Sequence, residues 1–391
     1  LVWRTAYFFT LMESYDYIFA GAGCAGLSLL HYLLESELKD SKILLIDPKI
    51  NEIPDKTWCY WAENPLEIHP TEHIHSWNNL SFISNKSKIT TNLGNLNYYH
   101  LNSLDFYRSI FKKLENHPQI KLVQDEVIEL AEAKDTVIVK TKNQGFLQAN
   151  QVFDSRLNEN DFKSNSSLKQ VFSGWRIKTE SELFDPESLI LMEFPEGNSP
   201  EFEFFYILPF SKTEALIEYT LYSKEAVSDK KLKTSLENYL TKNLGHTPFE
   251  ITFQESGIIP MSTRLKTPKA QKKVLKIGTA AGWTKASTGY TFHTIQSNCK
   301  KIVKALEQGD ILKLQIKRSA RFAFYDNILL NVAHKWPERL QGIFLDLFTS
   351  SSADVVLRFL NEETSLTEEL KLLGKLRFSI FIKSLMSYET H

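Results

Sequence analysis

The chain has 391 residues, 42% of them apolar and 24% charged, an ordinary globular balance at a length that predicts two successive or interleaved domains. A formal net charge of −1 excludes nucleic acid as the main partner, since no basic excess is present to neutralise phosphates. Cys24, Cys59 and Cys299 are odd in number and widely spaced with no CxxC pair, which argues for a reducing compartment and against a disulfide framework or a metal site.

Leu1–Leu11 carries one charge, Arg4, and no small-residue cleavage site follows. Met12 reads as a start, and the preceding residues as upstream sequence or a frayed, membrane-touching arm. Tyr15–Ala20 reads as a short buried strand, Gly21–Gly26 as a turn, Leu27–Glu35 as an apolar helix and Lys42–Ile46 as a second strand ending at Asp47: a complete β-α-β unit. The uncharged stretch 18–34 approaches membrane-spanning length, but its glycines and β-type residues fit strand and turn better.

Asn97–Leu114 reads as a turn and an amphipathic helix, and Lys121–Leu130, Thr136–Lys140 and Val152–Asp154 as strands. From Val171 to Leu221 the texture is aromatic and alternating, broken by Pro, Gly and acidic turns, which predicts a β-sheet substrate domain. Lys230–Asn243 is helical, Gln254–Pro260 and Lys273–Ile277 are strands, Gly278–Gly289 is a second glycine-bearing loop, and His293–Glu307 is a helix. From Ile311 onward the chain reads as helices. The predicted class is α/β (α+β): a discontinuous Rossmann-type FAD-binding domain over 14–165 and 255–310, a substrate-binding sheet domain over 166–254, and a helical region over 311–391.

Gly21-Ala22-Gly23-Cys24-Ala25-Gly26 is a GxGxxG run after a strand and at the opening of a helix. Gly21 permits the tight turn, Gly23 lets backbone approach a pyrophosphate, and Gly26 allows close strand–helix packing; the helix start offers free N–H groups to the phosphates. Asp47, at the tip of the second strand, is placed to accept from ribose hydroxyls. The motif does not by itself separate NAD from FAD. The loop from Gly278 to Gly282 favours FAD, since flavoproteins close such a loop over the ribityl chain and isoalloxazine. Many carry Asp directly after the first glycine, where this chain has Thr279. No second fingerprint follows, so a nicotinamide partner docks without one.

Asp55–Trp61 (DKTWCYW) resembles a segment of the lycopene cyclase family, the carotenoid β-cyclases of bacteria and plants. The likeness continues through Gly174-Trp175, Leu191–Phe194, Phe205–Ser211, Leu216–Thr220 (LIEYT) and Lys276–Phe292, including Ser287-Thr288-Gly289-Tyr290, and covers about residues 14 to 365. The family commonly has His-Pro where this chain has Lys285-Ala286.

The resemblance implies a flavin monooxygenase-like fold and a non-redox isomerisation that needs FAD reduced by NAD(P)H. A proton adds to C2 of an acyclic end of lycopene, the C5–C6 double bond attacks the cation at C1, and a proton leaves C6. It marks Glu218 as the acid or the acid's partner, with a carboxyl kept neutral by an apolar pocket. Glu193 is a second acid or the partner of a base. Thr288, Gly289 and Tyr290 join Gly278 and Gly282 at the flavin. Trp58, Tyr60, Trp61, Trp175, Phe204, Phe205, Tyr206 and Tyr219 are expected to line a tunnel with ring faces toward a cation. His69, His73 and His75 lie in a Pro-containing loop and are not read as metal ligands.

The alternatives are an FAD-dependent monooxygenase or reductase of a hydrophobic substrate, and a flavin-binding sensor without catalysis. A polyene substrate lives in membranes, so the expected place is cytoplasmic, peripheral on the inner face of the cell membrane. Arg377–Ser387, apolar with two cations, is either an interfacial segment or a packed terminal helix.

Overall fold

The computed structural model describes residues 12–50, 56–157, 168–197, 199–225, 227–263 and 272–391. The 1–11 arm and Asp55 of the aromatic motif lie outside them. The strands are β1 (Ser14–Ala20), β2 (Ile43–Asp47), β3 (Thr57–Ala62), β4 (His75–Trp77), β5 (Asn79–Ser84), β6 (Ser87–Asn92), β7 (Asn97–Asn102), β8 (Ile120–Gln124), β9 (Val127–Glu132), β10 (Val137–Thr141) and β11 (Phe146–Asp154). They continue with β12 (Leu168–Thr179), β13 (Ser188–Glu193), β14 (Phe202–Ser211), β15 (Glu214–Ser223), β16 (Phe249–Met261) and β17 (Val274–Lys276). The helices are α1 (Cys24–Leu34), α2 (Ser103–Leu114), α3 (Asp229–Leu244), α4 (Phe292–Glu307), α5 (Ala320–Lys335), α6 (Leu340–Ser350), α7 (Ala353–Leu360), α8 (Leu366–Leu373) and α9 (Phe378–Met386). The turn expected from Asn97 is instead strand β7, which runs directly into α2. Asn102 caps that helix by accepting from the Leu104 N–H at 2.9 Å.

The first sheet runs β8-β2-β1-β11-β10-β9, with β17 also on β11. Its centre is parallel (β2, β1, β11, β17), so its strands read as continuous apolar runs such as Ile43–Ile46, buried on both faces. One face packs against α1, α2 and α4 through Phe19, Leu27, Leu30, Phe106, Phe292 and Ile302.

The second sheet runs β16-β12-β15-β14-β13-β5-β6 and is antiparallel except where β13 lies parallel to β5. Two of its strands, β5 and β6, come from a segment whose sequence showed no clear element. Over the central strands each face is apolar, because each is covered there. Trp175, Phe205, Ile217 and Tyr219 pack on α3, whose Leu232, Leu236, Leu240 and Leu244 recur at helical spacing. The opposite face, with Phe202, Phe204, Leu208, Leu216 and Tyr222, packs on the C-terminal helices through Phe322, Phe344 and Phe348. A small sheet, β3-β7-β4, connects the two large ones.

Candidate active site

Both glycine loops leave one edge of the first sheet. Strands β1, β11 and β17 are parallel, with Ala20 level with Asp154 and Asp154 level with Lys276. Gly21 and Gly278 therefore follow the carboxyl ends of strands in the same sheet, where open α/β sheets bind ligands. Gly21 has φ +109°, and a Cβ there would stand 2.2 Å from Ser155 Oγ. A Cβ on Gly26 would stand 2.3 Å from the Gly21 carbonyl oxygen, so the helix reaches the strand only because that carbon is missing. Gly23 faces open space: no heavy atom lies within 4 Å of where its Cβ would be.

Helix α1 begins at Cys24 with no side-chain cap and no acidic residue in its first turn, which leaves its amide dipoles to an anion. Ala22 N–H donates to Asp47 Oδ2 at 2.7 Å, and Lys49 N–H to Oδ1 at 2.8 Å. Asp47 thus fixes the glycine turn as well as facing a crevice lined by Ala22, Gly23, Lys49, Tyr107 and Leu122. Cys24 is no nucleophile, as burial pushes its thiol up to about 12. Ala25 meets the second loop: a Cβ on Gly278 would stand 2.7 Å from its own.

A buried aspartate held by two partly exposed cations, overlooked in the sequence, pins the same strand ends. Asp154 takes Arg156 Nε and Lys276 Nζ, both at 2.8 Å. Burial pushes its carboxyl up, but those two cations hold it below the ordinary range.

The second loop is shaped by three left-handed glycines, Gly278 (φ +66°), Gly282 (φ +72°) and Gly289 (φ +77°). Thr279, at the expected aspartate position, pairs its hydroxyl with Thr284 at 3.1 Å. The loop closes where Gly289 N–H donates to the Lys285 carbonyl at 2.8 Å and Lys285 N–H to that of Tyr290 at 2.9 Å. The Thr288 hydroxyl oxygen is buried without a hydrogen-bond partner among the described residues. Tyr290 lies edge-on to Trp61 with ring centres 4.6 Å apart. In place of His-Pro, buried Lys285 pairs with Asp326 and Glu362 at 3.2 Å each, and Arg318 also binds both acids.

A cavity of about 580 Å³ opens beside this loop. Trp61, Trp283, Tyr290, Phe292 and Phe322 give it an aromatic wall beside Cys59; Lys285, Arg318 and Glu362 give it a charged one. Behind the aromatic wall runs a chain of hydroxyls. Tyr206 O–H reaches Cys59 Sγ (3.2 Å) and Tyr98 Oη (2.9 Å), and Tyr98 and Tyr290 are joined at 2.8 Å. Burial drives the Tyr98 and Tyr206 phenols far above their ordinary range, so both stay neutral.

Glu218 sits on β15 with its side chain on the face toward the C-terminal helices. Thr220 Oγ1–H donates to its Oε1 at 2.7 Å. Burial first, and then the nearby Glu255, push its carboxyl up to about 8. Glu255, on β16, is buried and accepts the Thr57 N–H at 2.9 Å. The sequence reading placed Glu255 in a strand without singling it out; only the pairing of β16 with β12 brings it to Glu218.

Glu193 is not brought to Glu218. It ends β13 on the other face, where Tyr239 of α3 donates to it at 2.6 Å, and burial raises its carboxyl. Trp175, Phe205 and Tyr219 also belong to that α3-side core, away from the face that carries Glu218, because adjacent strand residues point to opposite sides. Phe204 and Tyr206 share the Glu218 face, while Trp58 packs on Phe106 and Phe292. His69 bonds Tyr60 at 2.7 Å, His73 approaches Asp105, and His75 packs on Trp77.

The residues present fit a dinucleotide that also carries a planar ring system. There is an open approach at Gly23, an uncapped helix start, and a Thr288 hydroxyl without a hydrogen-bond partner among the described residues in the second glycine loop.

A family model described as "Lycopene cyclase protein" matches residues 16–386. A lycopene beta-cyclase of Pantoea ananas is 26% identical over 296 residues, covering 72% of each chain. Among solved structures, a geranylgeranyl bacteriochlorophyll reductase-like protein of Thermoplasma acidophilum superposes with a TM-score of 0.62 at 15% identity, covering 96% of this chain and 99% of its own. A flavoprotein/dehydrogenase of Cytophaga hutchinsonii gives 0.63 at 11% identity, covering 96% and 100%. At those identities the structural likeness shows a shared fold.

Proposed function

The chain belongs to the lycopene cyclase family, and from that premise we propose that it closes the acyclic ends of lycopene into β-rings, giving γ- and β-carotene without net redox change. The reading rests on one observation: a glutamate at the family's acidic motif, Glu218, stands half-buried on the aromatic sheet face toward the C-terminal helices, level with Tyr206, where its surroundings push the carboxyl up. A neutral carboxyl can give a proton to an alkene, and apolar walls keep water from the cation that results.

FAD would be held by Gly21, Ala22, Gly23, Cys24, Ala25 and Gly26 at the pyrophosphate, by Asp47 at the ribose, and by Gly278, Gly282, Thr288, Gly289 and Tyr290 at the ring. When bound and reduced, with NAD(P)H as electron source, it supplies negative charge that favours a cation in the substrate. The chain's own residues do the rest. Glu218 gives its proton to C2, the C5–C6 π pair closes the C1–C6 bond, and a proton leaves C6 for a carboxylate.

Substrate access fits a membrane-surface protein. Among the described residues no helix is long and apolar enough to cross a membrane. On α9, Ser384 is buried and accepts an Asn331 side-chain N–H at 3.0 Å, while Ile382, Leu385 and Met386 stand 53%, 47% and 85% exposed. Leu366 and Leu370 of α8 are exposed as well. With Lys371 and Lys383 on the same two helices, these exposed apolar side chains suit the inner face of an anionic membrane.

The test is expression in lycopene-accumulating cells. The expected outcome is a shift from red to orange pigment of unchanged mass. Substrate-triggered, oxygen-dependent NADPH consumption with an oxygenated product would instead establish a monooxygenase.

A further inference from the structure

Three neighbouring strands place two carboxyls around one missing side chain. On β12, Gly174 lies level with Glu218 of β15 on one side and with Glu255 of β16 on the other. A Cβ on Gly174 would stand 3.4 Å from Glu218 Cβ and 3.4 Å from Glu255 Cγ, so both side chains border the same empty position. A larger residue there would wedge them apart; glycine leaves the space between them to the carboxyls.

We propose that Glu255 is the positioning residue of the acid: it shares a single proton with Glu218 across Gly174 and so keeps Glu218 loaded. This rests on the cyclase reading and deepens it. Two carboxyls that border one position, in surroundings that already raise Glu218, do not both ionise readily, because each charge raises the cost of the other. Their surroundings settle which one holds the proton. Glu255 accepts a backbone N–H, from Thr57 at 2.9 Å, a fixed donor that favours the ionised form. Glu218 accepts from the Thr220 hydroxyl, a rotor that can turn to suit a protonated carboxyl.

The titratable groups facing Glu218 are Glu255 on β16, Tyr206 level with it on β14, Cys59 on β3 and Tyr290 on the second glycine loop. The last three are neutral, since burial holds the Cys59 thiol up at about 12 and both phenols higher still. Glu255 is therefore the group able to set the charge of Glu218. The proton count closes over a turnover: one proton passes from Glu218 to C2, one returns from C6 to the pair, and the pair ends with the single proton it began with.

The test uses the flavin-loaded full chain with lycopene in vesicles, and follows kcat/KM against pH for the wild type, Glu255→Gln and Glu255→Asp. In the wild type, activity should fall as pH rises through about 8. Glu255→Gln removes the neighbouring charge and should move that fall to lower pH by about one unit or more, whereas Glu255→Asp should restore the wild-type profile. A uniform loss in Glu255→Gln with an unmoved pH profile would overturn the proposal, leaving Glu255 a strand-to-strand tie through Thr57. Infrared titration of the protonated-carboxyl stretch, without substrate, reads the pair independently of the cyclase reading. The band should vanish in Glu218→Gln and titrate at lower pH in Glu255→Gln. If those bands behave so while lycopene is not cyclised, the function fails and the pair stands; if the bands do not move, the pair fails whatever the product.

Discussion

The hydroxyls of Tyr98 and Tyr290 lie 2.8 Å apart, and through this contact the second glycine loop is tied to strand β7 of the small central sheet. Tyr98 also receives the Tyr206 hydroxyl from the second large sheet, so one phenol joins three parts of the fold. Tyr98→Phe leaves the Tyr290 hydroxyl without this partner and should cost roughly 1–3 kcal/mol, the usual penalty for a stranded buried polar group. Chemical denaturation of wild type and variant checks the loss; a change within error would show that the hydroxyl chain carries no stability.

Glu218→Gln keeps the shape of the side chain and removes the transferable proton. Flavin absorbance should be unchanged and ring formation should fall by about 10²–10⁴-fold, the range for loss of a general acid. Full activity would remove Glu218 from the chemistry.

The same carboxyl makes folding stability depend on pH. Its folded value is near 8 and its ordinary value 4.5. The folded state therefore binds more protons between those limits, and stability is fully present below 4.5 and lost as pH rises through about 8. Glu218→Gln, which cannot ionise, should flatten the decline. Melting temperatures of the two proteins from pH 5 to 9 test this, and parallel curves would contradict the buried-acid assignment.

Gly26→Ala forces a methyl group toward the Gly21 carbonyl oxygen, 2.3 Å from where the new carbon would sit. The helix must move off the strand, at a cost of about 1–3 kcal/mol. The turn that would hold the pyrophosphate opens with it. The purified variant should be colourless or lose flavin on dilution, measured as FAD released against wild type.

Asp326 is 3% exposed and neutralised by Lys285 and Arg318. Asp326→Asn leaves those cations short of an acid and should destabilise the protein by roughly 3–5 kcal/mol. Burial pushes the Asp326 carboxyl up, but the two cations hold it below its ordinary value of 3.8. Its contribution is therefore present above pH 3.8 and lost as pH falls through the folded value. The gap between wild type and variant should narrow in acid, as read by denaturation at low and neutral pH.

Ile382 and Met386 lie one turn apart on the outer side of α9. Replacing both by Glu should abolish co-sedimentation with anionic lipid vesicles and leave flavin content intact. Retained binding would place the membrane contact elsewhere.

The β-α-β unit was legible because it is local. The strand, the glycine spacing, the helix and Asp47 follow one another directly, and the hydrogen bond from Ala22 to Asp47 closes within that unit. Glu218 was singled out through its motif. The alternation of Ile217, Glu218 and Tyr219 also showed that two faces exist, but not which one is the site. That depended on α3 covering Tyr219 and the C-terminal helices covering the other side. Strands β5 and β6, short and polar on their exposed side, carry too little periodicity to be read until β5 docks beside β13 and β6 beside β5. Glu255 is the clearest case. Nothing near it in the chain distinguishes it from a solvated strand glutamate; it meets Glu218 only when β12 pairs with β15 on one side and with β16 on the other. Backbone pairing between segments far apart in the chain sets that register, and that register brings both carboxyls level with Gly174.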